Sequence, residues 1–185
     1  MIILFGVVGS GKSEQASRLV AKLGCPYITT SRLIRDKANP QWQELIMAGK
    51  LLPDEAVLSI LEPELEKIDA ANKEFILDGA PRSIGQAEWL IDKVKNGEVK
   101  LTAIIHLVVS RRTAMERLLK RGREDDEEDI VSERFRQFDS VTTPVLNYLR
   151  SQNFTVNEVD GEWSSDVVEK QIWRVLEGEV EAKVR

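Results

Sequence analysis

Ile2-Ile3-Leu4-Phe5-Gly6-Val7-Val8-Gly9-Ser10-Gly11-Lys12-Ser13 is the stretch that decides the fold. Its first four residues are apolar, as in a strand buried on both faces. Gly6 to Ser13 match G-x-x-x-x-G-K-[ST], the phosphate-binding loop. Ala16, Leu19, Val20 and Leu23 then recur on one face of a helix, with Gly24 as its stop. Strand, glycine loop and helix in that order give the motif its meaning. Glycines let backbone N–H groups converge on phosphate oxygens without side-chain obstruction. The helix N-terminus adds partial positive charge. Lys12 would neutralise β- and γ-phosphates, and the Ser13 hydroxyl suits Mg²⁺. The pattern implies a nucleoside triphosphate and leaves the reaction open.

Working outward, short apolar runs at 27–29, 75–77, 104–109 and 154–159 alternate with helical patterns. This predicts an α/β fold, a parallel sheet with helices on both faces. The run Phe75-Ile76-Leu77 ends in Asp78, an acid placed to hold Mg²⁺ through water. Residues 30–70 are mostly helical and too long for a plain crossover, so they read as an insertion. Pro63 is expected to kink or break its last helix. Val168, Ile172, Val175 and Leu176 repeat at helical spacing behind the cap candidates Ser164 and Ser165. The charged tail beyond Leu176 is expected to fray.

Composition excludes several classes. The 185 residues fit one domain, and 42% hydrophobic residues suffice for a core. A net charge of -5 implies no general affinity for nucleic acid. Cys25 is the one cysteine, so there is no intrachain disulfide and no multi-cysteine zinc site. His106, the one histidine, lies in an apolar run and reads as a core or strand-edge residue rather than a ligand. No run is long enough to span a membrane, and Met1 to Phe5 lack a basic leader. A cytoplasmic monomer is the expectation.

Several segments together resemble the adenylate kinase family of nucleoside monophosphate kinases. Asp78-Gly79-Ala80-Pro81-Arg82 with Gln86 resembles its Asp-Gly-Phe-Pro-Arg…Gln segment. Gly49-Lys50-Leu51-Leu52-Pro53-Asp54-Glu55 resembles Gly-Lys-Leu-Val-x-Asp-Glu. Arg117, Arg121, Arg123-x-Asp125-Asp126 and Arg134 resemble its arginine series, and Thr142 to Tyr148 its Thr-x-Pro-x-x-x-Tyr segment. The match runs from about residue 1 to residue 176. The resemblance implies a P-loop three-layer fold over residues 1–185 with five parallel strands in the order 2-3-1-4-5. It also implies an acceptor-binding insertion at 30–60. The implied reaction is reversible, Mg²⁺-dependent transfer, ATP + AMP to two ADP.

The implied roles follow residue by residue. Gly6, Gly9, Ser10, Gly11, Lys12, Ser13 and Glu14 would line the ATP phosphates, with the backbone near Gly161 beside the ATP adenine. Arg35 and Arg82 would grip the AMP phosphate beside Gly79. Thr30 and Gln86 would sit at the AMP base, with Leu52 against it. Arg117, Arg121, Arg123 and Arg134 would surround the transferring group, and Ser13 and Asp78 would face the metal. Phosphoryl transfer asks for positioning and positive charge around equatorial oxygens, which the planar, permanently charged guanidinium suits.

Blander readings apply to some of these residues. Ser83-x-x-Gln86 is also a capping box. Asp125 and Asp126 suit a helix cap as well as orienting arginines. Arg111, Arg112 and Lys120 read as the solvated side of a helix whose core side is Ala114, Met115, Leu118 and Leu119. The four tryptophans read as packing residues.

Departures from the family pattern are concentrated around the nucleotides. Gly11-Lys12-Ser13-Glu14 replaces Gly-Lys-Gly-Thr, and a carboxylate at position 14, beside phosphates, has no explanation in the sequence. Thr30-Ser31-Arg32 replaces Thr-Gly-Asp. Only Gly122 separates Arg121 from Arg123, where the family carries a mobile lid, so the lid is expected to be a short turn at 121–125, with no zinc. Two other readings stay open: a kinase for another monophosphate such as UMP or CMP, and a nucleotide-binding protein without transferase activity.

Overall fold

The structure, a computed structural model, describes residues 1–37, 39–48, 50–122 and 126–178. The expected tail after Leu176 therefore lies largely outside the described residues. Five strands, β1 (Ile2–Phe5), β2 (Tyr27–Thr29), β3 (Ile76–Asp78), β4 (Ala103–Val108) and β5 (Val156–Asp160), form one sheet in the order β2-β3-β1-β4-β5. Every pairing is parallel. Around it lie α1 (Lys12–Leu23), α2 (Thr30–Asp36), α3 (Pro40–Met47), α4 (Asp54–Lys67), α5 (Ile84–Lys95), α6 (Arg111–Arg121), α7 (Glu128–Gln137), α8 (Thr143–Ser151) and α9 (Ser165–Leu176). A π-helical segment, Phe138–Thr142, joins α7 to α8.

The central strands are mainly apolar because both faces are covered. Ile3, Phe5, Leu77 and Ile104 enter one core with residues of α4, α5 and α8. Their neighbours Ile2, Leu4, Ile76 and Ile105 enter a second core with Ala16 and Leu19 of α1 and Val168 and Ile172 of α9. Each such side chain, fully buried, contributes ~1.5–3 kcal/mol of transfer free energy. A third cluster, Ala114, Leu118, Val131 and Phe135, takes in Val7 and Val8 and so seats α6 and α7 against the phosphate loop.

Four local expectations need correction. The helix α4 runs unbroken through Pro63, where the lost backbone bond is on an exposed turn while Ile60, Leu61 and Leu65 stay buried. Leu23 and Leu119 lie on solvent, Leu119 at 69% exposure, because the buried stripes are narrower than the apolar patterns. On α1 the buried position is taken instead by Gln15, whose Nε2 donates to Ser165 O at 2.9 Å. Trp163 is 59% exposed, whereas Trp42, Trp89 and Trp173 pack against the cores.

Candidate active site

All five strands run the same way, so their C-terminal ends gather on one edge, where open α/β sheets bind ligands. A cleft of about 510 Å³ opens there. Gly6, Gly9, Gly11, Lys12, Ser13 and Glu14 line one side, and Arg117, Arg121 and Arg134 reach in beside them. Thr30, Arg35, Leu52, Gly79, Arg82 and Gln86 line the other side, with Asp78 at the junction.

The loop's backbone requires its glycines. Gly9 has φ +80, and a Cβ there would lie 2.6 Å from Ala114 O on α6. Lys12 Nζ donates to Gly6 O at 2.7 Å and Val7 O at 3.0 Å, leaving one ammonium hydrogen for a phosphate oxygen. Burial pushes the Lys12 ammonium's pKa below its ordinary value, opposed by Asp78 and assisted by Arg82 and Arg121. The Arg82 guanidinium is likewise pushed down by burial and by Arg134, against the pull of Asp78. Half-buried cations gathered at one cleft make a strong anion site.

The arginines are braced. Arg117 Nη2 donates to Gly161 O at 2.8 Å and its Nη1 to Ser10 O at 3.4 Å, tying α6 to the phosphate loop and the end of β5. Arg121 and the buried Asp126 make a two-point pair at 2.9 and 2.5 Å. Asp126 thus orients an arginine, while the N-cap of α7 is Glu127. On the opposite side, Thr30 Oγ1 donates to Gly79 O at 2.9 Å, and a Cβ on Gly79 would fall 2.2 Å from that hydroxyl.

A family model described as "Adenylate kinase" matches residues 4–154. Adenylate kinases of Corynebacterium urealyticum and a Mycobacterium species are 36% and 37% identical, over 84% and 85% of this chain and 89% and 90% of theirs. That of Nocardia farcinica is 36% identical over 95% of this chain and 98% of its own. The chain belongs to the adenylate kinase family.

Most residues that the adenylate kinase resemblance singled out therefore share one cleft. Ser10 and Gly161 stand behind its wall, where their carbonyls hold Arg117, and the Ser10 hydroxyl is buried without a partner. Arg123 and Asp125, and with them most of the expected short turn at 121–125, lie outside the described residues. Glu14 has an explanation that the sequence did not offer. Its carboxylate takes Arg18 Nε at 2.8 Å one helical turn on, and Arg18 also pairs with Asp166 and Glu169 of α9, both at 2.8 Å. The charge at position 14 is engaged in an α1–α9 network. Ser83 caps α5 by accepting from Gln86 N at 3.2 Å, but the Gln86 side chain does not complete a capping box on Ser83. Its Oε1 accepts from Arg82 N at 2.8 Å.

Sequence reasoning missed Tyr27. Its hydroxyl donates to Asp78 Oδ2 at 2.9 Å and also meets the Ser13 side chain; burial and Asp78 raise its pKa. Only the parallel register Thr29↔Asp78 brings Tyr27 to that carboxylate. It also missed Gln137 and Phe138, which line the cleft beside Thr142 at the π-helical segment. The hydroxyl of Ser13 and carboxylate of Asp78 are hard oxygen donors, the set that suits Mg²⁺ bound mainly through substrate phosphates. Among the described residues, no group of three or more His, Cys, Asp or Glu is placed to hold a metal ion. Among them, too, no helix is long and apolar enough to cross a membrane.

Proposed function

We propose that this protein transfers the γ-phosphoryl group of Mg²⁺-ATP to AMP, reversibly, giving two ADP. The observation that carries this reading is the two-sided cleft. A phosphate loop with Lys12, Arg117 and Arg121 faces a second wall with Arg35, Arg82, Leu52 and Gln86, and Arg134 also lines it. Hydrolysis of one triphosphate needs only the first wall.

On this reading, Gly6 to Glu14 take ATP, with the Gly161 backbone supporting that side through Arg117, and residues 30–60 hold AMP. Arg35 and Arg82 grip the AMP phosphate and aim one of its oxygens at the γ-phosphorus. A new P–O bond forms there as the bond to the β–γ bridging oxygen breaks, and that oxygen leaves with ADP. Lys12, Arg117, Arg121, Arg123 and Arg134 hold the charge of the equatorial oxygens, a role in which one arginine is worth ~10³–10⁵ in rate. The acceptor is already an anion, so no general base is needed. Bound Mg²⁺ would supply Lewis-acid charge to the phosphates, with Ser13 and Asp78 the residues that would hold it. Cations already held in place need no reorganisation during transfer, which makes them effective.

The deciding experiment offers each nucleoside monophosphate in turn with Mg²⁺-ATP and measures ADP. AMP should be the best acceptor. ATP binding with no transfer to any monophosphate would make the protein a nucleotide-binding module instead.

A further inference from the structure

Gln86 is 4% exposed and lines the cleft, and both ends of its amide are held. Oε1 accepts from Arg82 N at 2.8 Å, and Nε2 donates to Asp54 Oδ1 at 2.8 Å. A backbone N–H can only donate, and an ionised carboxylate can only accept. The amide therefore cannot be turned end for end: that would set N–H against N–H and oxygen against oxygen in a buried site. Each end keeps one unused valence, a second N–H and a second lone pair. Asp54 is itself pinned. Its Oδ1 also accepts from Ser83 Oγ at 2.6 Å, and its Oδ2 lies 2.7 Å from where a Cβ on Gly85 would stand. It opens α4 two residues after Leu52, so it joins the 30–60 insertion to the start of α5.

We propose that Asp54 is a positioning residue that fixes the donor–acceptor order of Gln86 and thereby selects acceptor bases carrying an exocyclic amino group beside an unprotonated ring nitrogen. This rests on the reading above, in which Gln86 faces the acceptor base. Adenine and cytosine present that edge: the amino group donates to Oε1 and the ring nitrogen accepts from Nε2. Hypoxanthine, guanine and uracil present a carbonyl beside a protonated nitrogen, the reverse order, and meet donor with donor. Sites built around buried hydrogen bonds discriminate strongly because a mismatch strands polar groups.

AMP and IMP make the cleanest pair, since they differ only in this edge. Their kcat/KM and their calorimetric dissociation constants are compared in the parent, Asp54→Asn and Asp54→Ala proteins, with KM for ATP and Tm measured alongside. The parent should favour AMP by roughly 10²-fold or more. Asp54→Asn keeps the shape but can donate as well as accept, so the AMP:IMP ratio should fall by about tenfold while KM for ATP holds. Asp54→Ala should narrow the ratio too. If Asp54 is only structural, Tm drops and both acceptors weaken together at constant ratio, which overturns the proposal. A parent strongly favouring AMP beside variants that keep that preference sinks the role of Asp54 and leaves the kinase reading standing. No transfer to any monophosphate overturns both.

Discussion

At the scale of single residues, charge taken out of water is the dominant theme. Lys12 is half-buried and tethered to two loop carbonyls. Lys12→Met keeps the length of the side chain and removes the charge. Turnover should fall by roughly 10²–10³-fold, the loss typical of one preorganised donor, while Tm drops by only about 2–4 °C, the worth of one net hydrogen bond in a chain of this size. Steady-state ADP formation and a thermal melt read the two; unchanged turnover would remove the phosphate loop from the mechanism. His106 shows the same physics away from the nucleotides. Burial holds its imidazole below the ordinary pKa, chiefly by desolvation, with Glu158 pulling the other way and Arg150 and Lys12 adding to the depression. Its Nδ1 is buried without a hydrogen bond, and its ring stacks on Phe138 at 5.9 Å. The folded protein thus binds the proton less readily than the unfolded chain. Stability from this site is complete above the unfolded pKa of about 6.5 and is lost as pH falls below that, by at most ~1.4 kcal/mol per pH unit. His106→Phe should flatten the urea midpoint against pH between about 6.5 and 5 relative to the parent; equal slopes would show that the histidine does not contribute.

At the scale of elements, a helix places its functional side chains through contacts made elsewhere, as α6 does. Helix α6 presents Arg117 and Arg121 one turn apart because Ala114 and Leu118 anchor it against Val131 and Phe135 of α7. It stops at Gly122, which has φ +63 and donates its N–H to Leu118 O at 3.0 Å. The helix α4 runs through Pro63 because tertiary burial outweighs a local cost of roughly 3 kcal/mol. Pro63→Ala restores the missing N–H on an exposed turn, so unfolding free energy should rise by about 1–3 kcal/mol. Urea denaturation measures this, and no gain would mean that the helix is already relaxed around the proline. Sequence periodicity located the strands and the helices α1, α6 and α9, because amphipathic spacing is a local property. It misplaced Leu23, Leu119 and Trp163, because which part of an apolar stripe is covered depends on neighbours far along the chain.

At the scale of the molecule, the parallel sheet brings distant segments to one edge. Helix α6 ends at Arg121 and α7 begins at Glu128; the adenylate kinase resemblance implies that the connection between them carries no closing lid. Charge stabilisation by braced arginines survives such a shortening; exclusion of water does not. On that expectation the 30–60 insertion would be the main moving part, and ATP should be hydrolysed measurably without AMP. The test compares ADP release from ATP, with and without AMP, beside a lidded relative under matched conditions. Background hydrolysis no higher than the relative's would show that another element seals the site.

The sequence by itself determined the strand–loop–helix start, the alternation that demands a parallel sheet, the family, and most residues lining the cleft. The first two are legible because glycine spacing and apolar period are properties of adjacent residues; the family and the cleft residues follow from the resemblance of whole segments to adenylate kinases. Tertiary structure alone decided what those groups touch. The hydroxyl of Tyr27 reaches Asp78 through β2–β3 register, Glu14 is engaged by Arg18 in the α1–α9 network, and Gln86 is held by Asp54 from thirty-two positions away. Hydrogen bonds and ion pairs are short-range and directional, so their partners exist only once the packed cores have set the distances.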